Sequence, residues 1–242
     1  MTLLKAVRLA LTELADPARA ASMRSYMKSE MPFLGVTAVP RRAALRKVFA
    51  EHRLDSAPEW RRAVLALWRE AEYREERYAA IELSAHRFYR SWQTLYTLPM
   101  YEEMIVTGAW WDLVDDIAVH RIGTLLRLYP ESMRRLVLEW AHDPDLWKRR
   151  TAILCQNSFK DRTDVHLLYA CIEPSLSDTD FFARKAIGWA LREYAKTNPQ
   201  EVLRYVKHQG LSGLSRREAL RNIPGEQVTR DGTSRAPAGP RA

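Results

Sequence analysis

Trp111 and Asp115 stand four residues apart, one helical turn, in the stretch TGAWWDLVDDIA of residues 107–118. Arg150 and Trp189 occupy related positions further along the chain. An arginine fork can hold a phosphate. Indole faces stack on bases, lie against sugars and attract cationic groups. A carboxylate among them repels phosphate, so binding alone gives it no reason to be there. It suits a site where positive charge develops or water is activated, as when a glycosidic bond passes through an oxocarbenium-like state. Each residue also has an ordinary reading: Trp189 as core, Arg150 as a surface ion-pair partner, Asp115 as that partner's structural counter-ion.

The elements that would position these residues are helices. Strand-like alternation is absent. Ser56 to Glu59 reads as a capping box, and Asn198-Pro199 opens a further helix. The segments around Arg77, Val114, Arg150 and Lys185 resemble one another at spacings of 37, 36 and 35 residues. A period near 36 in an all-helical chain is the mark of stacked helix pairs, here HEAT-like because no tetratricopeptide consensus is evident. The expected fold is therefore all-α, a HEAT-like solenoid with a concave basic surface. In that register Trp110 packs with Leu113, Val114 and Ile117 as one apolar stripe of a continuous helix. Trp111 and Asp115 take the neighbouring face with Arg150 and Trp189, while Asp112 and Asp116 point to solvent.

Charge narrows the partner. The net charge is +8, of which the segment from Ile223 onward supplies only +1, so the excess sits on the folded body; it suits an anionic partner, nucleic acid first, and equally a solvated surface that is simply Arg-rich. Cys155 and Cys171 have no CxxC spacing, and the six histidines are scattered, so no metal and no cofactor is expected. No apolar run approaches the ~20 residues that span a bilayer. The opening MTLLKAVRLALTEL, broken by Lys5, Arg8 and Glu13, reads as an amphipathic helix and not a signal peptide. Residues 1–222 are expected to form a single domain and residues 223–242, rich in Gly, Pro, Thr and Ser, a disordered tail.

Four stretches carry a resemblance: YMKSEMPFLGV (26–36), EEMIVTGAWWDLVDDIA (102–118), LWKRRTAILCQ (146–156) and FFARKAIGWALREYAKTNP (181–199). With Pro40-Arg41-Arg42 after PFLG, they resemble the AlkD-like DNA alkylation repair family of HEAT-like-repeat glycosylases over nearly the whole chain. The resemblance implies excision of cationic alkylated purines, such as 3-methyladenine and 7-methylguanine, from double-stranded DNA without base flipping, leaving an abasic site. It implies a catalytic role for Asp115 with Trp111 and Trp189, DNA contacts from Arg150 and Tyr26, and phosphate contacts from Lys148 and Lys185. It also implies a monofunctional hydrolase acting as a cytoplasmic monomer. A sibling branch that binds DNA without excision is the alternative, and a helical protein scaffold is a third reading.

Overall fold

The computed structural model describes residues 1–211 and 213–224; the tail expected from residue 223 lies, beyond Pro224, outside them. Among the described residues there are fourteen α-helices and no strand. None of these helices is long and apolar enough to cross a membrane. The chain divides into two compact units, Met1–Met104 and Ile105 onward.

The first unit holds α1 (Leu3–Thr12), α2 (Pro17–Met27), α3 (Ala38–Glu51), α4 (Ala57–Arg69) and α5 (Arg74–Ser84). Its core gathers Val7, Leu11, Leu45, Phe49, Trp60, Val64 and Leu67. The expected capping box forms in a variant: Ser56 Oγ accepts from Glu59 N–H, and the Glu59 carboxylate reaches one residue past the cap to accept from Asp55 N–H. The PFLGV motif has a specific anchor. The fully buried Glu75 carboxylate accepts from the backbone N–H groups of Leu34, Gly35 and Val36 at 2.9–3.0 Å. Gly35 sits at φ +86°, and a Cβ there would run into the Asp16 carbonyl oxygen. Arg41, next in the family motif, is buried over the Tyr78 ring and bonded to Glu82.

The division between the units falls within α6 (Leu98–Gly108). The second unit continues with α7 (Trp111–Asp116), a π-helical segment (Ile117–Ile122), α8 (Gly123–Leu128), α9 (Pro130–Ala141), α10 (Leu146–Leu154), α11 (Val165–Ile172), α12 (Phe181–Ala195), α13 (Pro199–His208) and α14 (Gly213–Leu220). Here α10 packs between the α7–π stretch and α12, and α12 packs on α14; α9 lies against α8, α10 and α11. Helices α7, α10 and α12 begin at residues 111, 146 and 181, so the spacing is 35 residues, as in stacked repeats. Ile153, Ile187, Leu191, Val202 and Leu220 fill the core, and Ile223 is buried with them.

Two copies of one local device fix the phase of these helices. Asp145 caps α10 by accepting from Trp147 and Lys148 N–H, and its own N–H donates to Asp143. Asp180 caps α12 through Phe182 and Ala183 N–H, and its N–H donates to Asp178. Each Asp-x-Asp pair therefore sets where its helix starts, and hence which way every later side chain points.

Glu75→Ala removes a carboxylate that satisfies three buried N–H groups and is expected to cost about 3 kcal/mol in urea unfolding. A loss under about 1 kcal/mol would show that solvent replaces those bonds and that the anchor is incidental.

Candidate active site

The stretch TGAWWDLVDDIA is not one helix. It breaks after Gly108: Ala109 takes a left-handed φ of +39°, Trp110 is extended as the cap residue, and α7 begins at Trp111. The expected helical stripe is corrected accordingly. Leu113, Val114 and Ile117 are buried together, but Trp110 packs from outside the helix. Its ring meets Phe182 edge-on at 5.2 Å and Trp147 at 6.4 Å, so it bridges to α12 and α10. The indole N–H of Trp110 is buried and makes no hydrogen bond.

Cap residues Trp110, Asp145 and Asp180 are themselves 35 apart, and this shifts the register by one residue from the sequence estimate. Asp115, Arg150 and Lys185 are now equivalent, each the fifth residue past its cap. Trp111 and Trp189 are the first and ninth, so all five occupy i, i+4 positions of one helix face.

On that face two residues meet directly. Arg150 Nε and Nη2 donate to Asp115 Oδ1 and Oδ2, both at 2.7 Å. Its third nitrogen, Nη1, donates to the Phe182 carbonyl at 2.6 Å, in the first turn of α12. Arg150 is only 4% exposed, and the Asp115 side chain keeps 14% of its surface open. So α7, α10 and α12 are tied through one guanidinium. Burial pushes the Asp115 carboxyl above the ordinary carboxylate range; the Arg150 fork and charge pull the other way, and the neighbouring Asp112 adds to the rise.

The remaining expected site residues are placed as follows. Trp111 is half-buried at the start of α7. Trp189 is half-buried on α12, and its Nε1 donates to Glu193 at 3.3 Å. Lys185 pairs with Glu218 of α14 at 2.9 Å, and Glu218 also takes Arg192. Lys148 pairs with Asp143 at 3.2 Å. Tyr26 lies in the first unit on α2 and is 77% exposed. Asp112 and Asp116, expected in solvent, are half-buried. Sequence reasoning missed Glu193 and Glu218. Glu193 is the i+4 neighbour of Trp189, a spacing that could have found it; Glu218 reaches α12 from another helix, and no local pattern predicts that.

An Arg-clamped, largely desolvated carboxylate thus takes a helix position in the same i, i+4 series as those of two indoles. A family model described as DNA alkylation repair enzyme matches residues 7–223. The chain belongs to that family. Among solved structures, a predicted DNA alkylation repair enzyme from Enterococcus faecalis is 30% identical, with 87% of this chain and 97% of that one covered and a TM-score of 0.79. No curated protein matches the chain.

Arg150→Ala leaves the family member with an unpaired buried carboxylate, and is expected to cost about 3–5 kcal/mol near neutrality in urea unfolding. The loss should shrink on acidification, because a carboxyl whose folded pKa is raised penalises folding only once it ionises. A loss that stays flat with pH would mean that Asp115 does not carry the charge Arg150 balances.

Proposed function

We propose that the protein is a monofunctional DNA glycosylase that hydrolyses the N-glycosidic bond of cationic N-alkylated purines, of the 3-methyladenine and 7-methylguanine type, in double-stranded DNA. The observation that carries this reading is Asp115, desolvated and held by two 2.7 Å bonds on a face it shares with Trp111 and Trp189. In this reading residues 1–222 supply the DNA-binding domain, and the protein works as a cytoplasmic monomer on a basic surface.

The chemistry follows from charge. The C1′–N bond breaks with its electron pair going to the purine, so an alkylated, cationic base leaves neutral and needs no acid. Positive charge moves to the deoxyribose. A carboxylate partly removed from water stabilises that charge more strongly than one in bulk solvent. Arg150 occupies one lone-pair site on each Asp115 oxygen, and the others remain to face the sugar and orient water. Water bonds to C1′, and its proton passes to Asp115 and then to solvent. Trp111 and Trp189 lay electron-rich faces toward the electron-poor sugar. The lesion stays outside any pocket, so the base is not flipped into the protein. Arg150, with every nitrogen engaged, acts by holding Asp115; Tyr26, Lys148 and Lys185 contribute backbone contacts.

The decisive experiment incubates the purified protein with duplex DNA carrying 7-methylguanine or 3-methyladenine and measures released base. Asp115→Asn, which keeps the size of the side chain, should lower the single-turnover rate by about 10²-fold or more. The wild-type rate should fall on the acid side with an apparent pKa above the ordinary carboxylate range, matching the raised Asp115 carboxyl. DNA binding without release of either base would favour a non-catalytic DNA-binding member of the family and sink the enzyme reading.

A further inference from the structure

One turn beyond Trp189, α12 borders a cleft of about 290 Å³ that the proposed chemistry does not use. Its other wall is the connection from α10 to α11. Leu168 and Ala190 form part of its lining, and Asn157, Lys160, Glu193 and Lys196 bring polar groups to it. Three observations single it out. The Asn157 Nδ2 group is buried and makes no hydrogen bond, and an orphaned buried donor calls for an explanation. Lys160 takes a left-handed backbone, φ +56°, which a non-glycine residue adopts only where its surroundings impose it, as at ligand clamps. Cations also gather there. The ammonium of Lys160 is exposed and makes no ion pair among the described residues, and Arg127, whose pKa burial lowers with the charge of Arg162 adding to the effect, donates to the lining Ser158. The acidic groups nearby are Asp161 and Glu193. Glu193 is already shared between Lys196, at 2.6 and 2.8 Å, and Trp189 Nε1.

We propose that this cleft receives a backbone phosphate of the DNA, held by Asn157 Nδ2 and the ammonium groups of Lys160 and Lys196. The inference rests on the DNA-acting reading above and adds to it a phosphate site coupled to Trp189. Asn157 Nδ2 is an open donor, Lys160 brings an ammonium, and Glu193, the one carboxylate among the lining residues, is already engaged, so the ligand proposed is an anion bearing several acceptor oxygens. A phosphate that shares Lys196 draws the ammonium from Glu193 and leaves that carboxylate to the Trp189 indole. Engagement of the backbone thereby steadies the ring that faces the sugar.

The test measures binding of the full-length protein to undamaged duplex DNA by fluorescence anisotropy across a range of NaCl concentrations. Undamaged DNA separates binding from turnover. Lys160→Asn suits the left-handed backbone and removes the charge; it is combined with Lys196→Gln, and Asn157→Asp is made separately. The slope of log affinity against log salt should fall by about 0.9 in the double variant, the loss of one phosphate contact. Affinity at low salt should fall on the order of tenfold. Asn157→Asp should weaken binding as well, because it puts a carboxylate where a donor stood. Thermal melting at the wild-type temperature confirms that the variants fold. Variants that fold and keep both slope and affinity overturn the proposal. A titration of the wild type with inorganic phosphate, followed through the Asn157 amide resonances, separates the sources: saturation by free phosphate with unchanged DNA binding in the variants assigns the cleft to a free anion and removes the DNA from it. If the wild type binds no duplex at all, the glycosylase reading itself fails; if it binds and excises while the variants match it, only the cleft assignment fails.

Discussion

The Asp115–Arg150 pair is the constraint around which the second unit is arranged. A carboxylate and a guanidinium taken out of water cost several kcal/mol each, and only close, directional bonding offsets that. The fork supplies it on the carboxylate side, and the Phe182 carbonyl supplies it on the third nitrogen. Because those partners come from α7 and α12, the pair also fixes how three consecutive helices of the layer stand beside one another. In the proposed mechanism stability and chemistry are joined here: the burial that makes an unpaired Asp115 expensive is the burial that would strengthen its field at a developing cation.

Such a pair tolerates little rotation of its helices, and the caps provide the control. Asp145 and Asp180 set the starts of α10 and α12, each braced by the aspartate two residues earlier. Arg149 adds a strut between the two devices, bonding the Asp143 carbonyl on one side and the Asp178 carboxylate on the other. At the start of α7 an extended Trp110 does the same job without a side-chain cap, wedged against Trp147 and Phe182. After α7 the π-helical turn delays the helix by part of a residue, a local departure often found beside functional groups. Gly123 then lets the chain pass close to the Cys155 carbonyl.

Much of this was legible in the sequence, for physical reasons that can be named. Helices announce themselves by apolar spacing, and the capping residues Ser56 and Asn198 were readable because capping is local. The repeat was visible because each helix must present the same kinds of residue to its neighbours. Trp111, Asp115 and Trp189 stood out because indoles and a carboxylate at related spacings are unusual in a chain of net charge +8, and the structure puts them in one i, i+4 series of helix positions. What was hidden depended on contacts across the chain or on backbone breaks. Ala109 gives no sign that it will adopt a positive φ, so the helix break before Trp111 was invisible and the register was one residue off. Nothing in PFLGV says that Glu75, some forty residues on, holds it. Arg150 was open to two readings, phosphate ligand or ion-pair partner of Asp115, and its bond to the Phe182 carbonyl on another helix follows from no local pattern.

The Asp-x-Asp staples have a consequence for how such a chain can grow or be rebuilt. Because each staple resets the phase of its own helix, angular errors do not accumulate from one helix to the next. A duplicated or transplanted block of 35 residues that carries its own staple arrives with its fifth residue already aimed at the shared face. A single residue inserted between staple and fifth position turns that side chain by about 100° and takes it off the face. The chain is thus modular in whole units and unforgiving within them.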